Sequence, residues 1–133
     1  SRIAEGIKQI DFKPVTGFMH GYIDLVFEAN GQFYLADYKS NHLGDCYEDY
    51  RPDELTVVMA REQYTLQYLV YTVALHRFLR QRVPDYDYER HFGGVYYLFL
   101  RGMTPAHRGN GVFVDQPDRA LVEALDMLLG GSR

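Results

Sequence analysis

The sequence predicts a mixed α/β domain, a central mixed sheet containing a β-hairpin and flanked by helices. Three observations carry the prediction. Two segments rich in Ile, Val, Phe, Tyr and Leu flank the dipeptide Asn30-Gly31. A stretch free of Gly and Pro follows at 54–82 and has helical periodicity. The continuous apolar run GGVYYLFL at 93–100 then returns to strand character, and a regular apolar stripe closes the chain. Hairpin, long helix, strand and helix in that order suggest an α/β core.

Taken in order, the first dozen residues read as a helix end leading into a strand from Phe12 or later. Strands are expected at 15–28 and 33–40. Asn30-Gly31 is the strongest short hairpin signal, because a type I′ turn needs positive φ at both central residues. Set as a two-residue loop, it places Ala29 opposite Gln32 and, counting outward, Asp24 opposite Asp37. A polar loop at 41–53 ends in Arg51-Pro52-Asp53, with Asp53 a candidate helix cap. Residues 54–82 read as one helix, with apolar positions 55, 58, 59, 66, 69, 70 and 73, stopped by Pro84. The 93–100 run has the character of a strand buried on both faces. A Gly-rich loop at 102–111 precedes a short strand, VFVD at 112–115. The last helix is expected from about Pro117, with a stripe of Leu121, Val122, Leu125, Leu128 and Leu129, ending at Gly130-Gly131.

Bulk properties narrow the function classes. A chain of 133 residues fits one domain, and 47% hydrophobic with 15% aromatic residues excludes disorder. No apolar run approaches the roughly 20 residues that span a bilayer. The polar start, SRIAEGIKQIDFKP, lacks the apolar centre of a signal peptide. The chain opens on Ser1 without a Met, which predicts a fragment of a longer protein. Cys46 is the single cysteine, so no internal disulfide forms and a reducing compartment is the natural reading. A net charge of −4 argues against DNA binding driven by bulk charge, but leaves room for a nuclease whose acids hold a metal.

The hairpin carries the chemistry. Opposed Cβ atoms in an antiparallel pair lie roughly 4.5–5.5 Å apart, so Asp24 and Asp37 would repel unless something compensates. Lys39 projects from the same face, two residues on. A D-x-K met in isolation is more often a solvated ion pair. Here both acids sit among apolar neighbours, where charge is costly unless paired or metal-bound. A hard divalent ion such as Mg²⁺ fits two carboxylates, and could polarise a phosphoryl oxygen and acidify a bound water. Lys39 would orient that water or stabilise developing negative charge. Gln67 and Tyr71 share a helix face with Tyr64 and Phe78. That face reads either as an ordinary half-buried stripe or as a polar wall beside the metal that contacts the DNA backbone. The histidines at 20, 42, 76, 91 and 107 show no metal-ligand spacing, and His20 reads as structural or peripheral. Cys46 lacks basic activation. Gly93-Gly94 and the glycines at 109–111 read as turn or strand-entry residues. Arg77, Arg80 and Arg82 suit the negative end of a helix dipole, with phosphate contact as the second reading.

The strings GFMHGYIDLVF, DYKSN, QYTLQYLVYTVALHRFLR and HFGGVYYLFLRGM closely resemble the C-terminal nuclease domains of the RecB type, the beta subunits of exodeoxyribonuclease V. The resemblance runs over about 15–129. It rests on D-x12-D-x-K combined with Gln67-x3-Tyr71. It implies a restriction-endonuclease-like PD-(D/E)xK core and Mg²⁺-dependent hydrolysis of DNA phosphodiesters, with Mn²⁺ or Ca²⁺ able to substitute structurally. It further implies that Asp24 and Asp37 are the metal-ligating acids, Lys39 the motif lysine, and the Tyr38 backbone carbonyl an extra ligand. Gln67 and Tyr71 match the further motif on the helix after the hairpin. RecB-type domains carry one more metal ligand, an upstream histidine. Nothing before Asp24 matches it, and the chain reads as a truncated core within residues 1–133. The same resemblance implies a bacterial cytoplasmic helicase–nuclease complex without membrane attachment, RecC- and RecD-like partner subunits, a RecA-type recombinase, and work in double-strand break processing and homologous recombination. Two further readings remain: a nuclease-fold docking module inactive by itself, and a metal-dependent hydrolase of another phosphoester.

Overall fold

The computed structural model describes residues 13–14 and 23–130. Five strands form one sheet in the order β1-β2-β3-β4-β5: β1 (Lys13–Pro14), β2 (Leu25–Ala29), β3 (Gln32–Lys39), β4 (Phe92–Phe99) and β5 (Val112–Asp115). β3 pairs antiparallel with β2 and parallel with β4; the outer pairs are antiparallel. The helices are α1 (Pro52–Arg61), α2 (Tyr64–Arg82), the single turn α3 (Tyr88–His91) and α4 (Arg119–Leu128). Short 3₁₀ turns lie at Tyr47–Tyr50, in the segment between β3 and α1, and at Leu100–Gly102, directly after β4. This is the mixed α/β architecture expected of a PD-(D/E)xK core.

The hairpin forms in the expected register. Asn30 and Gly31 take φ of 54° and 78°, the left-handed pair that a type I′ turn requires, and Ala29 faces Gln32. The ladder ends at Leu25 opposite Ala36, so Asp24 lies one step beyond it. The expected strand at 15–28 therefore begins at Leu25 in its described part, and its earlier part and His20 lie outside the described residues. So does the N-terminal dozen, except where β1 follows it.

β4 is a buried central strand, as the apolar run implies. It enters through a bulge at which Phe33 faces Phe92 and Tyr34 faces Gly94. A Cβ on Gly93 would lie 2.3 Å from the Tyr34 ring, so the close approach requires glycine there.

One helix was expected over 54–82, and two are found. The chain breaks at Glu62-Gln63, where Gln63 adopts φ of 61°. The break rotates the buried stripe. Tyr68, Tyr71, Thr72 and Leu75 face the core, whereas Leu66 and Val70, assigned to the apolar face by periodicity, are exposed. The physical reason is the larger burial of the tyrosines, with the Tyr68 hydroxyl donating to Asp115 Oδ2 at 2.6 Å. The N-cap of α1 is Arg51 with Pro52 in the first turn, so Asp53 is a first-turn acid rather than the cap. α4 begins at Arg119, two residues after Pro117. Its buried positions are Val122 and Asp126, while Leu121, Leu128 and Leu129 of the expected stripe are exposed.

One sheet face packs Val26, Leu35, Val95, Tyr97 and Phe99 against α1, α2 and α4. The other carries a smaller layer of Phe27, Ala29 and Ala36 beside Tyr34 and Tyr96. Arg77 and Arg80 on α2 both donate to the carboxylate of Asp126, fastening α2 to α4. Arg82 lies over the Phe78 ring. Arg77 and Arg80 thus serve the packing of α2 on α4, and Arg82 is exposed.

Candidate metal centre beside the central strand

The alternation that puts Leu35 on the helix face puts Asp37 and Lys39 there as well. Asp24, opposite Asp37 by the extended register, joins them. The two acids are linked through the backbone: the Asp24 N–H donates to Asp37 Oδ1 at 3.3 Å, and the Tyr38 N–H donates to Asp24 Oδ2 at 2.8 Å. In an extended strand a residue's carbonyl faces the same neighbour as its N–H, so the Tyr38 carbonyl is on the side of Asp24. The two acids and the Tyr38 backbone thus meet at one notch where the β2–β3 ladder ends.

Asp24 is exposed, whereas Asp37 is only 2% exposed. Burial pushes the Asp37 carboxyl up to about 6; Lys39 pulls it down and Asp24 pushes it up. The Lys39 ammonium stands 2.7 Å from Asp37 Oδ2. Even so, among the described residues no hydrogen bond of good geometry falls on that buried oxygen. A buried carboxylate set beside a second carboxylate is the donor chemistry a hard cation takes. The residues fit a divalent ion on this ground. The protein set is small: among the described residues no group of three or more His, Cys, Asp or Glu gathers around a common point.

α2 roofs the site. The Lys39 ammonium lies 4.1 Å from the centroid of the Tyr64 ring and 5.5 Å from that of Tyr97. Tyr97 stands beside Asp37 in the parallel ladder and donates its hydroxyl to Gln67 Oε1 at 2.5 Å. Burial holds the Tyr97 phenol above its ordinary range, and the Asp37 charge adds to this, so it remains a donor. Tyr71, one turn beyond Gln67, is buried in the core. Phe78 sits far along the same helix. Of the expected site residues, the structure therefore brings together Asp24, Asp37, Tyr38, Lys39 and Gln67, with Tyr71 packed behind them.

Among the described residues, the histidines are engaged elsewhere. The buried His76 Nδ1 lies 2.8 Å from the Tyr86 hydroxyl, His42 pairs with the exposed Asp45, and His107 packs on Tyr47. Cys46 is an exposed loop residue.

Sequence reasoning missed Tyr97 and Asn41. The Asn41 side-chain amide meets the Tyr64 hydroxyl at 3.2 and 3.4 Å, and Arg101 donates to the Ser40 carbonyl at 2.7 Å. Asn41 stood in the string DYKSN and could have been flagged there. Tyr97 had no such signal, because parallel register depends on the whole crossover.

No protein-family profile matches the chain. Individual sequences do. The chain is 44% identical over 129 residues to the RecBCD enzyme subunit RecB of Escherichia coli (strain K12), covering 97% of this chain and 11% of that protein. It is 50% identical over 119 residues to the subunit of the same name from Haemophilus influenzae, covering 90% and 10%. It is also 50% identical over 128 residues to that of Mycobacterium tuberculosis (strain CDC 1551), covering 91% and 12%. The chain spans about a tenth of the length of the curated relatives it matches.

Proposed function

We propose that this chain, a RecB-family member homologous along nearly its whole length to one part of that subunit, is a DNA nuclease domain whose centre is Asp24, Asp37 and Lys39. The observation that carries the reading is the buried Asp37, set opposite Asp24 with the Lys39 ammonium 2.7 Å from its Oδ2. Asp24, Asp37 and the Tyr38 carbonyl would hold Mg²⁺. When bound, that ion supplies Lewis-acid polarisation of the phosphoryl oxygen and a more acidic water. The residues do the rest. Lys39 presents its ammonium to the negative charge that develops on the phosphorus oxygens as the phosphodiester is attacked. Gln67, held by the Tyr97 hydroxyl, forms the polar wall along which the DNA backbone lies, and Tyr71 supports it from the core.

The net charge of −4 gives the chain little general attraction for DNA. This supports delivery of the strand by a larger assembly: a bacterial cytoplasmic helicase–nuclease with RecC- and RecD-like subunits, handing its product to a RecA-type recombinase. Among the described residues no helix is long and apolar enough to cross a membrane.

The test is Asp37→Ala in the intact subunit with its partners. Mg²⁺-dependent cleavage of linear DNA should vanish while ATP-driven unwinding persists; cleavage that survives overturns the assignment. A second reading, a docking module for partner subunits or recombinase, draws on the exposed apolar positions Leu121, Met127 and Leu128 of α4 and Leu129 at its C-terminal end. An intact protein that never cleaves yet binds a recombinase filament would select it.

A further inference from the structure

The Lys39 side chain is folded inward and only 17% exposed. Asp37 alone does not explain this, because a salt bridge fixes distance and leaves direction free. The Tyr64 ring, 4.1 Å from the ammonium, supplies direction, since a cation prefers the face of an aromatic ring. That ring is itself fixed. Its hydroxyl is tied to both ends of the Asn41 amide, two residues beyond Lys39 on the same strand exit. Its flank rests on Tyr97, with ring centroids 5.8 Å apart. Strand, lysine, ring and asparagine thus form a closed circuit between β3 and the first turn of α2.

We propose that Tyr64 is a positioning residue for Lys39, its ring face, flanked by Tyr97, holding the ammonium beside Asp37. The proposal rests on the nuclease reading for its kinetic arm alone; its spectroscopic arm follows from the geometry.

The experiment compares the intact protein with Tyr64→Phe and Tyr64→Leu, each labelled with ¹³C at the lysine ε-carbon. In the parent and in Tyr64→Phe, which keeps the ring, the Lys39 ε-methylene protons should appear upfield of ordinary lysine from the ring current. Tyr64→Leu should lose that shift. Cleavage of linear DNA should follow: kcat within about threefold of the parent for Tyr64→Phe and about tenfold lower for Tyr64→Leu, with KM for DNA unchanged in both. A Lys39 signal at the ordinary position in the parent overturns the proposal, even where the leucine variant fails to fold. So does a leucine variant of parental kcat, or a phenylalanine variant as slow as leucine, which would assign the effect to the hydroxyl. An upfield Lys39 in a protein that cleaves no DNA upholds the clamp and sinks the nuclease reading.

Discussion

Asp37 is charged at neutral pH against the preference of its surroundings. Its carboxyl is pushed from 3.8 up to about 6, chiefly by burial, so the folded chain keeps a proton where the unfolded chain has released it. Between those two values the native state binds more protons than the unfolded state. Without metal, stability is therefore fully present below about pH 4 and is lost as pH rises through 6. The difference corresponds to about 3 kcal/mol at pH 7. Asp37→Asn keeps the shape and removes the charge. Urea titrations in EDTA should show that it abolishes this pH slope and raises the pH 7 unfolding free energy by up to that amount. A parent whose stability is flat from pH 4 to 7, or an asparagine variant weaker than the parent at pH 7, would refute the argument. Asp24, Asp37 and Lys39 were legible in sequence because a two-residue turn fixes their register locally. Tyr97 was not, because nothing within a few residues of it specifies which residue of β3 it will meet.

Hairpin and buried strand were readable at the level of elements, since turn chemistry and apolar continuity are short-range. The interruption between α1 and α2 was not. Glu62 and Gln63 are both good helix formers, and only the packing of Tyr68 and Tyr71 makes a left-handed Gln63 worth its strain. A non-glycine residue at positive φ costs on the order of 1 kcal/mol. Gln63→Gly should therefore raise the unfolding free energy by up to about 1 kcal/mol with cleavage unchanged. Gln63→Val, β-branched and poorly suited to that conformation, should lower it. Denaturant midpoints decide the matter, and a valine variant as stable as the glycine one would show that the break carries no strain. α4 teaches the same lesson. Its stripe is regular in sequence, yet Leu128 is 83% exposed while Asp126 is buried, because two arginines from α2 claim the acid.

For the whole molecule, a cation held only by the native notch must stabilise the fold. An ion at a hundredfold its dissociation constant adds about 2.7 kcal/mol. Mg²⁺ should thus raise the thermal midpoint in a concentration-dependent way, and Asp37→Ala or Asp24→Ala should remove the effect; an equal rise in Asp37→Ala would place the ion elsewhere. The parallel pairing of β3 with β4 has one more consequence, in time rather than in space. During synthesis the two acids and the lysine leave the ribosome together, on a hairpin that can close in microseconds. The tyrosines arrive later, Tyr64 with α2 and Tyr97 only when β4 emerges and docks. Parallel partners join late, after a long loop has been closed. A nascent chain therefore carries its acidic pair before it has the roof over the lysine, and the arrangement around that pair is complete only when the last central strand is seated.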